Sequence, residues 1–425
     1  MGGVDSGIDT PTDRNEIDGA RDTRSEDRRI EQQDLRDRPG DRQDGAVPEA
    51  GWIPLPGLTD GCVIERAEHP ETVFTPVWES CGEGCEFLTD DARFTRAFDD
   101  AIGAHDGERG YFELLVGPRI GLGRIVVLAA TEGAPVAAWR GPEIDSGNLC
   151  AVAAMGSSVS ATSVAFEVWL PGDGTPIESR VFHGLLSEVG AATEPIRVLR
   201  GDILAGSNSV QTIGVSDTTV ALELQPQGAI LVLEGGEERW LSGARDPDAP
   251  GIPQNIVVVG RDVFWEDWGS NVSVVHGSFG GTTSPLLLAA GGDVKGFGTD
   301  GTTMAWLEGY DRQPDGAYAR LELWTSVHAS TPIDLTRRLV RNMDERAPRT
   351  VGDGIYAQYR NSGLQPRIEL YDLADGRKRV FRAPAGSLVL GPPLYVTATE
   401  MLVKGVHDGL RTLYRVQLAS VPYVD

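Results

Sequence analysis

The chain has 425 residues, is 40% hydrophobic and carries a formal net charge of −25, with 63 acidic residues against 38 basic ones. No run of 18 apolar residues occurs, which excludes a membrane-spanning helix. The acid excess suits solubility and works against docking on nucleic acid or anionic lipid.

Residues 1–50 read as a disordered polar leader. Within them, residues 1–45 hold 13 acidic and 8 basic side chains, very few aliphatics and no aromatics. That is too little apolar surface to offset the entropy of ordering. No apolar stretch follows Met1, so no signal peptide is visible in the chain. Gly2-Gly3 and the polar stretch after it resemble the tether that follows the acylated cysteine of a bacterial lipoprotein. The resemblance implies a lipid tether upstream of Gly2 and an extracytoplasmic address, in the periplasm or cell envelope.

The four cysteines, Cys62, Cys81, Cys85 and Cys150, all fall in the first third of the chain. Four cysteines allow three pairings. Cys81-Gly82-Glu83-Gly84-Cys85 can close a small flexible loop, leaving Cys62 with Cys150. Free thiols are the second reading. Zinc is the third, because a single C-x3-C with no histidine nearby lacks the four ligands that structural zinc requires. Disulfides would imply an oxidising compartment. No pattern in the chain calls for a cofactor or a metal.

From Trp52 the texture changes to short strands joined by turns, in keeping with 53 glycines and 26 prolines. One pattern keeps returning: Val164-Ala165-Phe166-Glu167, Val220-Ala221-Leu222-Glu223, Val263-Phe264-Trp265-Glu266 and Met304-Ala305-Trp306-Leu307-Glu308. It is weaker at Ile355-Tyr356-Ala357 and Met401-Leu402-Val403. The first residues are 56, 43, 41, 51 and 46 apart. Recurrence at roughly 40–50 residues in β-type segments is the signature of propeller blades. Residues 51–425 therefore read as one all-β domain, because each added blade stacks on its neighbours.

The blade centred on Trp306 is the clearest. Its strands are expected at Val294–Thr299, Thr302–Glu308 and Tyr318–Thr325, with a fourth near Thr331–Arg338. Asp300-Gly301 supplies the positive φ of a tight hairpin turn. The next blade has strands at Ile355–Arg360, Arg367–Asp372 and Arg379–Arg382. Blades are expected at about 90–141, 147–200, 208–244, 253–291, 293–338, 349–383 and 391–417: seven, each of four antiparallel strands. The last has only three strands, and Cys62–Ala67 is a spare strand near the start. Pairing the two is expected to close the ring and hide its open sheet edges.

The run Ile368-Glu369-Leu370-Tyr371-Asp372-Leu373-Ala374-Asp375-Gly376 resembles the third-to-fourth-strand hairpin of TolB-like and WD40-like propellers. This resemblance implies a β-propeller and no particular activity. The Trp-Asp dipeptide of WD40 repeats is absent from the blade ends, and so is the Asp-box of sialidase-type propellers.

Gly296-Phe297-Gly298-Thr299-Asp300-Gly301 matches G-x-G-x-x-G, but the residues after it alternate as a strand does, so it reads as a hairpin and not a nucleotide loop. There is no G-x-S-x-G, H-E-x-x-H or C-x-x-C. The six histidines lack ligand spacing. Most of the nine tryptophans read as fillers between sheets. Trp268 differs, because Asp267-Trp268-Gly269-Ser270-Asn271 is turn-like and can bring a ring to the channel mouth. The connections between second and third strands, and between blades, supply the other candidate ligand contacts. The full set is Asp173, Arg245, Asp246, Asp267, Trp268, Asn271, Tyr310, Asp311, Arg360 and Asn361. The plainer reading is that such loops are polar because they are solvated.

The favoured function at this level is a non-catalytic binding or scaffolding propeller with an unidentified protein or glycan partner. The alternative is a propeller enzyme, a polysaccharide lyase or hydrolase, with acid/base carboxylates such as Asp173, Asp246, Asp248 and Asp311 at the mouth.

Overall fold

Strand Thr219–Leu224 is buried at every position, and strand Thr303–Arg312 is buried from Met304 to Gly309. A strand loses its polar alternation when both of its faces are covered. Here both are covered because each small sheet is packed between two others. The computed structural model describes residues 51–54, 65–89, 102–105, 108–116, 125–133, 135–140, 151–159, 163–170, 178–185, 197–200, 210–224, 229–242, 252–268, 273–281, 286–289, 293–313, 317–327, 338–343, 349–361 and 366–424. All of them belong to the unit Val47–Asp425.

The described strands form seven antiparallel sheets. Six contain a four-strand meander drawn from one stretch of chain: 102–140, 151–200, 210–242, 252–289, 293–343 and 349–382. The remaining sheet joins strands Leu388–Val396, Glu400–His407 and Leu410–Gln417 to Cys85–Leu88 and Trp78–Gly82. The fold is an all-β β-propeller. The expectation of seven uniform four-stranded blades is corrected: six blades are complete meanders, and the last sheet is assembled from two distant segments.

The spare strand also lies elsewhere than expected. Glu65–Ala67 pairs with Pro135–Arg140 and Trp52–Pro54 on the first sheet, not with the last one. The Arg140 guanidinium bonds to Glu65 at 2.5 Å, and Ala67 is buried beside Ala138 and Phe112. At the far end, Tyr423–Val424 pairs with Lys378 and Arg379 on the outer edge of the sixth sheet. Arg377 and Arg379 stack on the Tyr423 ring at 4.3 and 4.2 Å.

The register aligns the repeats. Val164, Val220, Val263, Met304, Tyr356 and Met401 each pair with the last or near-last residue of the preceding strand: Val159, Val215, Val258, Thr299, Val351 and Val396. The fifth repeat, in the sixth sheet, therefore begins at Tyr356, one residue later than its sequence suggests. Strands Ile355–Arg360 and Arg367–Asp372 run as expected. The fourth strand of the fifth sheet is Arg338–Met343 instead of Thr331–Arg338. Met343 supplies buried apolar surface there, whereas Pro332 has no N–H to donate to a ladder.

Aromatic and aliphatic side chains fill the seams. Phe264, Phe297, Met304 and Trp306 join the fourth and fifth sheets, and Leu307, Leu323, Tyr356 and Tyr371 join the fifth and sixth. The glutamates of the repeat go inward too: Glu223, Glu266 and Glu308 are all buried. Glu308 accepts hydrogen bonds from Trp306 Nε1 (2.9 Å) and from the Tyr310 hydroxyl.

The G-x-G-x-x-G stretch is a hairpin. Gly296 has φ +77° at a bulge between Lys295 and Gly298. A Cβ on Gly298 would stand 2.6 Å from Val351 of the next sheet. Its glycines thus serve backbone shape and close approach, not phosphate binding.

Candidate functional site

The first strands of the sheets converge on one cavity of about 550 Å³. It follows them to the turns that lead into the second strands. Its polar wall includes His105, Ser216, Asp217, Asn255, Asp300 and Asp353. Each comes from the first strand of a sheet or from the turn after it.

Side chains along this wall link one sheet to the next. His183 Nε2 lies 2.9 Å from the Ser216 carbonyl, joining the second and third sheets. Ser216 Oγ donates to the Gly260 carbonyl (2.6 Å), joining the third and fourth. Asn255, at φ +60°, donates to the Phe297 carbonyl of the fifth sheet (3.0 Å) and to buried Glu266 (3.3 Å). Asp300 accepts from Gly354 N of the sixth sheet (3.2 Å), and Asp353 from Ala398 N of the last (3.1 Å). His105 of the first sheet lies 3.7 Å from Glu400 of the last and packs on the Tyr395 ring at 5.3 Å.

Glu400 is the buried hub of that final seam. It accepts from the Tyr395 hydroxyl (2.8 Å) and from Arg415 (2.9 Å), while Arg415 also reaches Glu132 at 2.6 Å. Burial and the neighbouring Glu400 carboxylate push the Tyr395 phenol well above its usual range. Arg415 is also raised: burial works against its charge, but its bonds to Glu132 and Glu400 prevail.

Of the expected contact residues, those described, Asp267, Trp268, Tyr310, Asp311, Arg360 and Asn361, do not line this cavity. Asp173, Arg245, Asp246 and Asn271 lie outside the described residues. Trp268 is the last residue of strand Asp262–Trp268. Asp267, 7% exposed, faces His276 across 3.7 Å instead of the channel. Burial raises the Asp267 carboxyl and lowers the His276 imidazole, and Asp267 Oδ1 has no hydrogen-bond partner. Tyr310 is tied to Glu308 and carries the Arg320 guanidinium over its ring at 4.3 Å. Asp311 is exposed at φ +55°. Asn361 is exposed just beyond its strand.

Arg360 is corrected from loop contact to buried anchor. It is 7% exposed and lies 3.3 Å from Glu369. Glu369, 1% exposed, also bonds to Arg367 (2.9 Å) and Tyr371 (2.7 Å) and faces Lys378 at 3.3 Å. Burial alone would raise this carboxyl, but the bonds from Tyr371 and Arg367 and the charges of Arg360 and Lys378 hold it at about 2.

Cys81 and Cys85 form a disulfide, while Cys62 and Cys150 lie outside the described residues. Among the described residues no three His, Cys, Asp or Glu side chains cluster so as to hold a metal ion. No helix among them is long and apolar enough to cross a membrane. The cavity lies at the turns between first and second strands, whereas the residues named from the sequence lie in or near the other set of connections. Its usable signal in the sequence was the polar residue ending each first strand, visible at Ser216-Asp217, Thr299-Asp300 and Gly352-Asp353.

The class defined by this geometry is a β-propeller with a polar channel. Several solved structures are similar to the chain. The chain is similar to the β-propeller domain of the Trilobed protease from Pyrococcus furiosus, at 9% identity and TM-score 0.47, covering 75% of this chain and 96% of that one. It is also similar to TolB from Acinetobacter baumannii, at 10% identity and TM-score 0.35 over 71% of this chain and 61% of that one. A third likeness is the Cps50 (Swd1) β-propeller domain from Myceliophteria thermophila, at 10% identity and TM-score 0.43 over 76% and 98%. No protein-family profile matches the chain, and no curated protein matches it.

Proposed function

We propose that the chain is a binding or scaffolding β-propeller that takes a protein or glycan partner at the turn-lined end of its channel. The observation that carries this reading is the state of the channel's polar groups. Ser216, Asn255, Asp300 and Asp353 are bonded to the neighbouring sheet. Groups so engaged form a fixed pattern of polarity, which favours recognition. They are poorly placed to shuttle protons, as the lyase or hydrolase alternative would require of this channel. The pairing of Val416 with Cys85 and Tyr414 with Phe87 supports a ring held shut by residues 78–88. The polar leader supports a tether and an address in the cell envelope, and the Cys81–Cys85 disulfide is in keeping with an oxidising compartment.

The test is a pull-down from envelope extract with the full chain, compared with Asp217→Arg and Asn255→Arg variants that fill the channel. A retained protein or glycan lost in these variants supports the reading. Retention of no partner, or equal retention by both variants, removes it.

A further inference from the structure

A second polar cluster lies away from the channel, at the opposite end of the last sheet. The connection Pro384–Ser387 enters strand Leu388–Val396, and the Ser387 amide closes its turn on the Pro384 carbonyl at 3.0 Å. That turn places Ser387 Oγ 2.9 Å from His407 Nδ1, at the end of strand Glu400–His407. The imidazole is held on several sides. Phe87 stacks on it with centroids 3.9 Å apart and planes 25° apart. Tyr414 meets it edge-on, its hydroxyl donating to the Val406 carbonyl at 2.7 Å. Asp408 Oδ2 stands 3.9 Å from Nε2, the nitrogen on the far side of the ring from Ser387. Asp408 adopts φ +49° at the start of the Asp408-Gly409 turn.

We propose that Ser387 and His407 form a hydrolytic dyad for small esters with an apolar acyl group. A hydroxyl is a weak nucleophile until a base within hydrogen-bond reach takes its proton, and the base works best when other groups fix its orientation. Here the base is His407, its plane is set by Phe87, and Asp408 is a positioning residue on the Nε2 side of the ring.

In the first half-reaction Ser387 Oγ bonds to the ester carbonyl carbon and its proton passes to His407 Nδ1. The carbonyl π pair moves onto oxygen. As it returns, the bond from carbon to the alkoxy oxygen breaks, and the departing alcohol takes the proton from Nδ1. In the second half-reaction water gives a proton to Nδ1 and its oxygen bonds to the acyl carbon. The bond to Oγ then breaks, Ser387 regains its proton and a carboxylic acid leaves. Water is the sole co-reactant.

The surroundings select the substrate class. Leu410, the strand partner of His407, is 39% exposed and offers apolar surface for an acyl chain on the same face as the imidazole. Asp408, with its side chain 82% exposed, and the net charge of −25 repel a substrate bearing a carboxylate. The acyl donor is therefore an uncharged or cationic ester. The dyad is independent of partner binding at the channel.

The experiment uses the full chain with p-nitrophenyl butyrate, p-nitrophenyl succinate and a fluorophosphonate probe, followed by peptide mass mapping. The expected result is one covalent adduct on Ser387 and butyrate hydrolysis well above succinate hydrolysis. The rate should fall by about 100-fold in Ser387→Ala and in His407→Gln. Ser420→Ala should leave the rate unchanged. Channel-partner retention should persist in Ser387→Ala, which separates the two sites. A Ser387→Ala protein that hydrolyses butyrate as fast as the native chain overturns the proposal. So does a probe that leaves Ser387 of the native chain unlabelled, whether or not the variants fold.

Discussion

Asp300 and Gly354 belong to successive sheets, and the carboxylate of one accepts the backbone N–H of the other at 3.2 Å. The same carboxylate caps its own hairpin, accepting from Thr302 N at 2.8 Å and Thr303 N at 2.7 Å. One side chain thus shapes a turn and joins it to the neighbouring blade. Asp353 repeats the inter-blade half of this arrangement with Ala398.

Asp300→Ala should therefore destabilise the protein by about 2 kcal/mol, since it strands several backbone donors near the channel wall. Asp353→Ala should cost about 1 kcal/mol. Urea unfolding of each variant checks the order. Equal midpoints for the native chain and Asp300→Ala would remove the linking role.

Glu369 makes a pH prediction with a definite sign. Its folded value of about 2 lies below the ordinary 4.5. The stability it contributes is present above the unfolded value and is lost as pH falls from about 4.5 towards 2. The span corresponds to about 3 kcal/mol. Glu369→Gln should flatten this acid limb and lower stability at neutral pH by a similar amount. Thermal melts between pH 2 and 7 measure both.

Asp267 and His276 act in opposite directions. Burial raises the carboxyl, so its folded form holds a proton longer than the unfolded one, and stability falls as pH rises above the ordinary value of 3.8. Burial lowers His276, so stability falls as pH drops below 6.5. Asp267→Asn should raise the melting temperature near pH 7 by about 2 °C, a gain of roughly 1 kcal/mol, and leave it unchanged below pH 4. A loss of stability at neutral pH would show that the ionised carboxylate is needed where it lies.

The Cys81–Cys85 disulfide staples the hairpin that completes the last sheet. A cavity of about 280 Å³ opens beside both cysteines, next to Phe381 and Val421, and gives a dithiol reductant a way in. Closing so short a loop contributes about 2 kcal/mol in the chain-entropy account. Reduction should therefore lower the melting temperature by a few degrees and speed amide exchange most across Trp78–Leu88. Uniform exchange changes across all sheets would argue against a local staple.

The blades were legible because their determinants are local. A strand buried on both faces needs an apolar run such as Val220-Ala221-Leu222, and a tight turn needs residues such as Asp300-Gly301. Strand Ile355–Arg360 follows from its own residues and the Gly352-Asp353-Gly354 turn before it. The same local logic misplaced Arg360. Polar character suggested a loop, yet its partner Glu369 comes from the neighbouring strand, and pairing makes burial of the charge tolerable. The polar residues ending the first strands look like ordinary turn formers until six sheets bring them around one cavity.

The amino-acid order by itself determined the recurring inner strands and the tight turns between them, such as Ile355–Arg360 and Asp300-Gly301, since backbone preference and apolar spacing act over a few residues. Only the tertiary structure decided which distant segments meet: Thr412 with Leu88, Glu65 with Arg140, Ser387 with His407. Those contacts depend on how the sheets pack around the axis, and a strand carries no mark of the partner that will cover its edge.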